Sequence, residues 1–196
     1  MKLRNLKIKN FRSVEYADIE IHNYTMLVGA NNAGKSNIMA ALRAFYEDIS
    51  WMAKDDNPKF NDTNIDNDDF ESWVELHFEL SDDEWVNLAE LHKDQKLPNT
   101  LVVRRYFVHK DRVKKSQSNI YSVVDGVVNE TLFYGAKNIG TAKLGSIIYI
   151  PALISANDQI KTSGSFYATF TDMDKEKAEV ITKSSGVSEY GYKKNL

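Results

Sequence analysis

Cysteine is missing from the 196-residue sequence, which excludes disulfides and thiolate metal sites. That fits a reducing cytoplasm. Proline is scarce at three residues, so few strands or helices are interrupted. No apolar run approaches the ~20 residues that cross a bilayer. The amino terminus alternates charged and apolar residues and has no signal-peptide core. A surplus of positive charge is also lacking: 25 Lys and Arg stand against 28 Asp and Glu, for a net charge of -3. Coating nucleic acid by bulk charge is thereby excluded, although a local basic face is not. The expectation is a soluble cytoplasmic chain with no membrane partner. Its length suits one domain, or one domain with an elaborated lobe.

What is present centres on Gly29-Ala30-Asn31-Asn32-Ala33-Gly34-Lys35-Ser36, which fits G-x-x-x-x-G-K-[ST], the phosphate-binding loop. Gly29 and Gly34 permit backbone conformations in which successive N–H groups turn around an anion. Lys35 reaches β- and γ-phosphates, and the Ser36 hydroxyl can ligate Mg²⁺. The context supports the motif. Tyr24 to Val28 is a short apolar run that reads as a buried strand. Ile38, Leu42, Phe45, Ile49 and Met52 follow at helical spacing, with Ala40, Ala41 and Ala44 favouring helix. Strand, loop and helix together predict a nucleotide site.

Upstream, Leu6 and Ile8 alternate with Lys7 and Lys9, and Ile19 and Ile21 with Asp18, Glu20 and His22. Both segments have the period of half-buried strands, and Asn10 to Glu15 joins them as a hairpin. Downstream, Trp73 to Leu80 alternates in the same way. Ser81 and Glu84 form a capping box before a helix carrying Trp85, Leu88, Ala89 and Leu91. Leu101 to Val108 is another strand, and Asp125-Gly126 between Ile120–Val124 and Val127–Leu132 signals a tight hairpin. Ser146 to Ile150 is nearly all apolar and reads as a strand buried on both faces.

Lys9-Asn10-Phe11-Arg12-Ser13, followed by a strand and then Gly29 to Asn37, resembles the amino-terminal lobe of ABC-type ATPases that act on DNA. These are the RecF-like, SMC-like and OLD-like enzymes, with the OLD ATP-dependent endonucleases the nearest pattern. The resemblance is concentrated in residues 1–50. It implies an α/β P-loop NTPase with a mixed central sheet and an antiparallel β-rich sub-sheet. It also implies ATP and Mg²⁺ as cofactors, and nucleotide contacts from Arg12, Gly29, Asn31, Asn32, Ala33, Gly34, Lys35, Ser36 and Asn37. Lys35 carries the catalytic role. Arg12 is either the family's nucleotide-coupling arginine or a solvated turn residue. Tyr149-Ile150-Pro151-Ala152 is similar to a strand end that leads toward the nucleotide in OLD-like proteins, so Gln159 is either the sensor of Mg²⁺ and water that the resemblance implies or an ordinary loop residue.

Residues 1–183 are accordingly expected to form the amino-terminal half of the ATPase domain. Residues 54–71 would be an acidic surface loop, 73–132 a β-rich insertion, and 184–196 a flexible tail. Within the acidic loop, Asp62-x-Asn64-x-Asp66 invites a calcium reading. Asn67 and Trp73 occupy the places of the required Gly and Glu, so a solvated loop is preferred. Arg104, Arg105, Lys110, Arg112, Lys114 and Lys115, interleaved with Tyr106 and Phe107, are a candidate DNA contact or else a charged edge that discourages aggregation.

A Walker B acid, on a buried strand ending in Asp or Glu, is not found. Leu76 to Asp82 alternates as a half-exposed strand, Val123 to Gly126 is a turn, and Ser146 to Ile150 ends in Pro151. A signature loop and a carboxylate-rich nuclease module are missing as well, and Asp172-x-Asp174 is too bare to replace the latter. The chain thus reads as half of a catalytic site. A homodimer, a higher oligomer or a second chain would complete it, with a nuclease fused or as partner. The alternative is a nucleotide-dependent assembly module without hydrolysis of its own. A kinase or GTPase is disfavoured by the Asn31-Asn32 loop and the lack of Asn-Lys-x-Asp.

Overall fold

Alternating apolar residues build one sheet. In the computed structural model, which describes residues 1–59 and 70–150, strand β1 (Lys2–Phe11) turns at Arg12-Ser13 into β2 (Val14–Glu20). Strand β3 (Ser72–Glu79) pairs with the other edge of β1, and β4 (Thr100–Val108), β5 (Ile120–Val124) and β6 (Val127–Val128) follow. The order is β2-β1-β3-β4-β5-β6, antiparallel throughout. The expected hairpin and β-rich insertion are therefore one continuous sheet. Asp125 and Gly126 both take positive φ, 52° and 82°, as a two-residue hairpin requires.

Helix α1 (Lys35–Phe45) covers one face of the sheet. Its contact is an alanine stripe, Ala40, Ala41 and Ala44, ending in Phe45, packed over Leu6, Ile8, Val74, Leu76 and Val103. Small residues let the helix approach closely. The helix stops at Phe45, short of the expected Ile49 and Met52. Glu47 takes φ 61°, its N–H donates to Ala44 O, and Asp48 N–H donates to Arg43 O, a Schellman ending made without glycine. A short α2 (Ala53–Asp56) follows.

The opposite face carries a smaller cluster of Trp73, Tyr106 and Tyr121. It closes over Glu75, which is only 4% exposed, so the second face of β3 is not the solvated surface that its alternation predicts. Arg104, opposite Glu75 in the register, donates to it from Nε at 2.8 Å, and its guanidinium lies 4.1 Å from the Trp73 ring centroid.

The Ser81–Glu84 capping box forms, and Glu84 also binds the terminal amine of Met1 at 2.7 Å. The helix behind it, α3 (Asp82–Val86), is shorter than expected and gives way to a 3-10 turn at Glu90–His92. A short α4 (Ile139–Ala142) closes the described elements.

Two expected strands do not form. Residues 24–28 and 146–150 are irregular, with Tyr24 79%, Val28 82% and Ile148 71% exposed. A strand buried on both faces needs a neighbour on each edge, and no described strand runs beside either segment. Apolar composition makes a segment able to join a sheet but cannot supply the neighbour. The chain divides into units Met1–Ile148 and Tyr149–Leu196, and of the second only Tyr149 and Ile150 fall among the described residues. Pro151, Ala152, Gln159, Asp172, Asp174 and the expected tail lie outside them, as does the Asp62-x-Asn64-x-Asp66 stretch.

Candidate nucleotide-binding site

The loop from Gly29 to Ser36 is shaped before any ligand is considered. Ala33 N–H donates to Ala30 O at 3.2 Å, closing a turn whose residue Asn32 takes φ 65°. Gly34 follows at φ 86° and is the N-cap of α1. That conformation disfavours a Cβ, so Gly34 has the role expected of it. Gly29 does not: its backbone is not left-handed, and an added Cβ would only touch Ala33 Cβ at 3.5 Å. Asparagine, which tolerates positive φ better than most residues, takes the second strained position instead.

Lys35 is held inside the turn. Its Nζ donates to Gly29 O and Ala30 O, each at 2.7 Å, so the ammonium is fixed against the loop backbone. Next to it, the N–H groups of Lys35 and Ser36 emerge without intrahelical partners, while those of Asn37 and Ile38 already donate to Gly34 O at 2.9 and 3.1 Å. The result is a row of donors, a positive dipole end and one fixed cation. Asn31, Asn32, Ala33 and Ser36 are exposed around it. The Ser36 hydroxyl has no protein hydrogen bond among the described residues, so it fits as one ligand of Mg²⁺. No cluster of three or more His, Cys, Asp or Glu that could hold a metal occurs among the described residues.

The β1–β2 turn leans on this loop. Asn37 Nδ2 donates to Ser13 Oγ at 2.7 Å, and the same Ser13 oxygen lies 3.6 Å from where a Cβ on Gly34 would be. Arg12, at φ 52°, is bound through its own N–H to Asp56 O at 2.6 Å and through Nε to Asp56 Oδ1 at 2.7 Å. Between turn and loop opens a cleft of ≈ 590 Å³ lined by Lys9, Val14, Tyr16, Gly34, Ile38 and Lys59, among others. Gly34 lines this cleft, Asn37 is tied to the turn through Ser13, and the Arg12 side chain turns to Asp56 rather than lining the cleft. Gln159 is outside the described residues.

Ser13 and Asp56 were not singled out in the sequence. Ser13 stands in the Phe11-Arg12-Ser13 lead-in, a signal that could have found it. Asp56 sits in a run of acidic and amide residues with nothing to mark it.

The basic group does not assemble into one patch. Arg104 and Arg105 are consecutive on β4 and point to opposite faces. Arg104 serves Glu75, whereas Arg105 donates to Phe45 O at 2.6 Å and pairs with Glu47 at 3.0 Å, capping the carbonyl end of α1. Arg112 donates to Asn129 O and Val128 O and lies over the Tyr121 ring. Only Lys110, Lys114 and Lys115 of that group are exposed.

A family model described as an AAA ATPase domain matches residues 1–190. Endonuclease GajA of Bacillus cereus (strain VD045) is 44% identical over 43 residues, a stretch that is 22% of this chain and 7% of that protein. The match thus spans a small part of the curated relative's length. A solved structure, described as the structural biochemistry of ATP-driven dimerization and DNA-stimulated activation of SMC ATPases, is similar at TM-score 0.48 and 17% identity. It covers 93% of this chain and 98% of its own, a likeness too loose to carry residue roles.

Proposed function

The chain belongs to the AAA ATPase domain family, an α/β phosphate-loop NTPase, and from that premise we propose that it is the ATP-binding half of a DNA-associated ATPase of the RecF, SMC and OLD type. The observation that supports this is the preformed loop, with Lys35 held against Gly29 O and Ala30 O beside the free N-terminus of α1. ATP places its phosphates on that donor row and its nucleoside in the neighbouring cleft. Lys35 neutralises phosphate charge, and Ser36 would hold one position on Mg²⁺, which would supply positive charge to offset that of the phosphates. Gly29, Asn31, Asn32, Ala33, Gly34 and Asn37 shape the loop, and Arg12 adds a second cation. No residue of the chain is assigned as the catalytic acid, and Gln159 is assigned by resemblance alone.

On this reading the domain spans residues 1–183 and acts in the cytoplasm, as a dimer or with a second chain that completes the catalytic site. A nuclease, fused or separate, is the coupled activity, and the service is DNA repair or defence against phage. The 43-residue likeness to an endonuclease supports that direction. Lys110, Lys114 and Lys115 are the exposed members of the basic group left to meet DNA. The second reading, a nucleotide-dependent assembly module, is favoured by the exposed apolar segments at 24–28 and 146–150, which offer a partner strand-forming surface.

The test is a titration of the purified chain with a fluorescent ATP analogue and Mg²⁺, followed by single-turnover hydrolysis with and without candidate partner chains. Binding that Lys35→Ala abolishes, with hydrolysis only when a partner is added, supports the proposal. Robust turnover by the chain alone would remove the incomplete-site part of it, and binding unaffected by Lys35→Ala would remove the site itself.

A further inference from the structure

We propose that Asp56 is a positioning residue: it fixes Arg12 through Nε so that both terminal nitrogens of the guanidinium stay available to a nucleotide phosphate at the adjoining loop. The inference rests on the nucleotide-binding reading and adds to it a residue that no motif marks.

The grip has several parts. Asp56 O accepts from Arg12 N–H at 2.6 Å, Oδ1 accepts from Arg12 Nε at 2.7 Å, and Oδ2 accepts from Met52 N–H at 2.9 Å. The Asp56 side chain is 7% exposed while that of Arg12 is 37% exposed. A buried carboxylate locked to a half-exposed cation defines the direction of the longer side chain, because the buried partner has no other place to go. The surrounding frame is also tied. Asn57 Nδ2 donates to Phe70 O at 3.1 Å, and Asn10 Nδ2 donates to Glu71 O at 2.7 Å.

The manner of the grip differs from that of Arg104, Arg105 and Arg112. Arg104 uses Nε and Nη2 on Glu75 and Nη1 on the Tyr106 hydroxyl. Arg105 uses Nη1 on helix carbonyls and Nη2 on Glu47. Arg112 uses both terminal nitrogens on carbonyls. The Arg12 guanidinium lies 5.5 Å from the Phe11 ring centroid and donates through Nε; its Nη1 and Nη2 donate no hydrogen bond among the described residues. A guanidinium anchored at Nε presents its end-on fork, the geometry that takes two oxygens of one phosphate. The turn that carries it already touches the phosphate loop, through Ser13 Oγ and Asn37 Nδ2.

The experiment titrates fluorescent ATP with Mg²⁺ into the full chain and into Lys35→Ala, Arg12→Gln, Asp56→Asn, Asp56→Glu and the double variant Arg12→Gln/Asp56→Asn, with a melting curve for each without nucleotide. Arg12→Gln and Asp56→Asn should each weaken binding by about tenfold. The double variant should be no weaker than either single, and Asp56→Glu should recover part of the loss. The double variant also leaves no unpaired buried charge, so its melting temperature should return toward wild type while its affinity stays low. If Arg12 and Asp56 both acted only through stability, the double variant would instead regain affinity together with stability. That result, or Asp56→Asn binding within twofold of wild type, overturns this inference alone. Wild-type binding that Lys35→Ala does not reduce overturns the parent reading, and this one with it.

Discussion

The Asn37 amide and the Ser13 hydroxyl, 24 positions apart, meet at 2.7 Å and join the first turn of α1 to the β1–β2 turn. The nucleotide loop is thereby referenced to the sheet as well as to its own helix. Removing either side chain leaves the loop residues intact but frees their frame. Ser13→Ala and Asn37→Ala should each lower ATP affinity by about fivefold, corresponding to the ~1 kcal/mol of one neutral hydrogen bond. The double variant should match the singles. Equilibrium titration of the three variants reads this directly.

Glu75 and Arg104 form the ion pair buried beneath Trp73 and Tyr106, at 2.6 Å between Nη2 and Oε2. Deleting one partner strands the other in a poorly solvated place. Glu75→Gln should destabilise the fold by about 3 kcal/mol. Glu75→Gln/Arg104→Met should lose less than the sum of its single changes, because the stranded charge is gone. Urea denaturation of the set measures both, and a strictly additive double would contradict the paired arrangement.

Acid should destabilise the protein in two stages. His92 is 3% exposed, with Nδ1 2.7 Å from Ser122 Oγ and Nε2 accepting weakly from Tyr134 N–H at 3.4 Å. Burial pulls its pKa below the ordinary 6.5, so the unfolded chain binds the proton first. The stability tied to neutral His92 is full above pH 6.5 and is lost as pH falls below it. Glu75 supplies the second stage. Burial pushes its carboxyl up, but the His77 hydrogen bond and the Arg104 guanidinium more than offset this and hold it below the ordinary 4.5. Its contribution is present above that value and is lost as pH falls through it toward the folded-state pKa. Melting temperature against pH should show both stages, and His92→Gln should flatten the first while leaving the second.

Two substitutions separate the site from the far edge of the sheet. Ala41 is fully buried between α1 and the sheet, so Ala41→Leu overpacks that contact at a cost of about 1–3 kcal/mol and displaces the helix that begins at the loop. ATP affinity should fall with it. Gly126 has nothing within 4 Å of an added Cβ but sits at φ 82°. Gly126→Ala should cost about 1–2 kcal/mol through backbone strain alone and leave ATP affinity unchanged. Calorimetry and nucleotide titration on the pair distinguish the two effects.

The local rules of the chain were legible without coordinates. Period-two alternation marked β1, β2 and β3, the Asp125-Gly126 turn marked the last hairpin, and Ser81 with Glu84 capped α3. The spacing from Gly29 to Ser36 located the loop, because a phosphate cradle depends on consecutive backbone and two adjacent side chains. What needed the tertiary structure were relations between distant segments. The same alternation that places Arg104 and Arg105 on opposite faces already forbade a single basic patch, but only the fold shows what each one meets. Asp56 meets Arg12 because α2 returns the chain to the β1–β2 turn, and a run of Asp and Asn carries no sign of which carboxylate will be buried. Residues 24–28 have the composition of a strand and no strand beside them among the described residues. Sequence determines what a segment can pair with; whether a neighbour arrives is decided by the path of the rest of the chain.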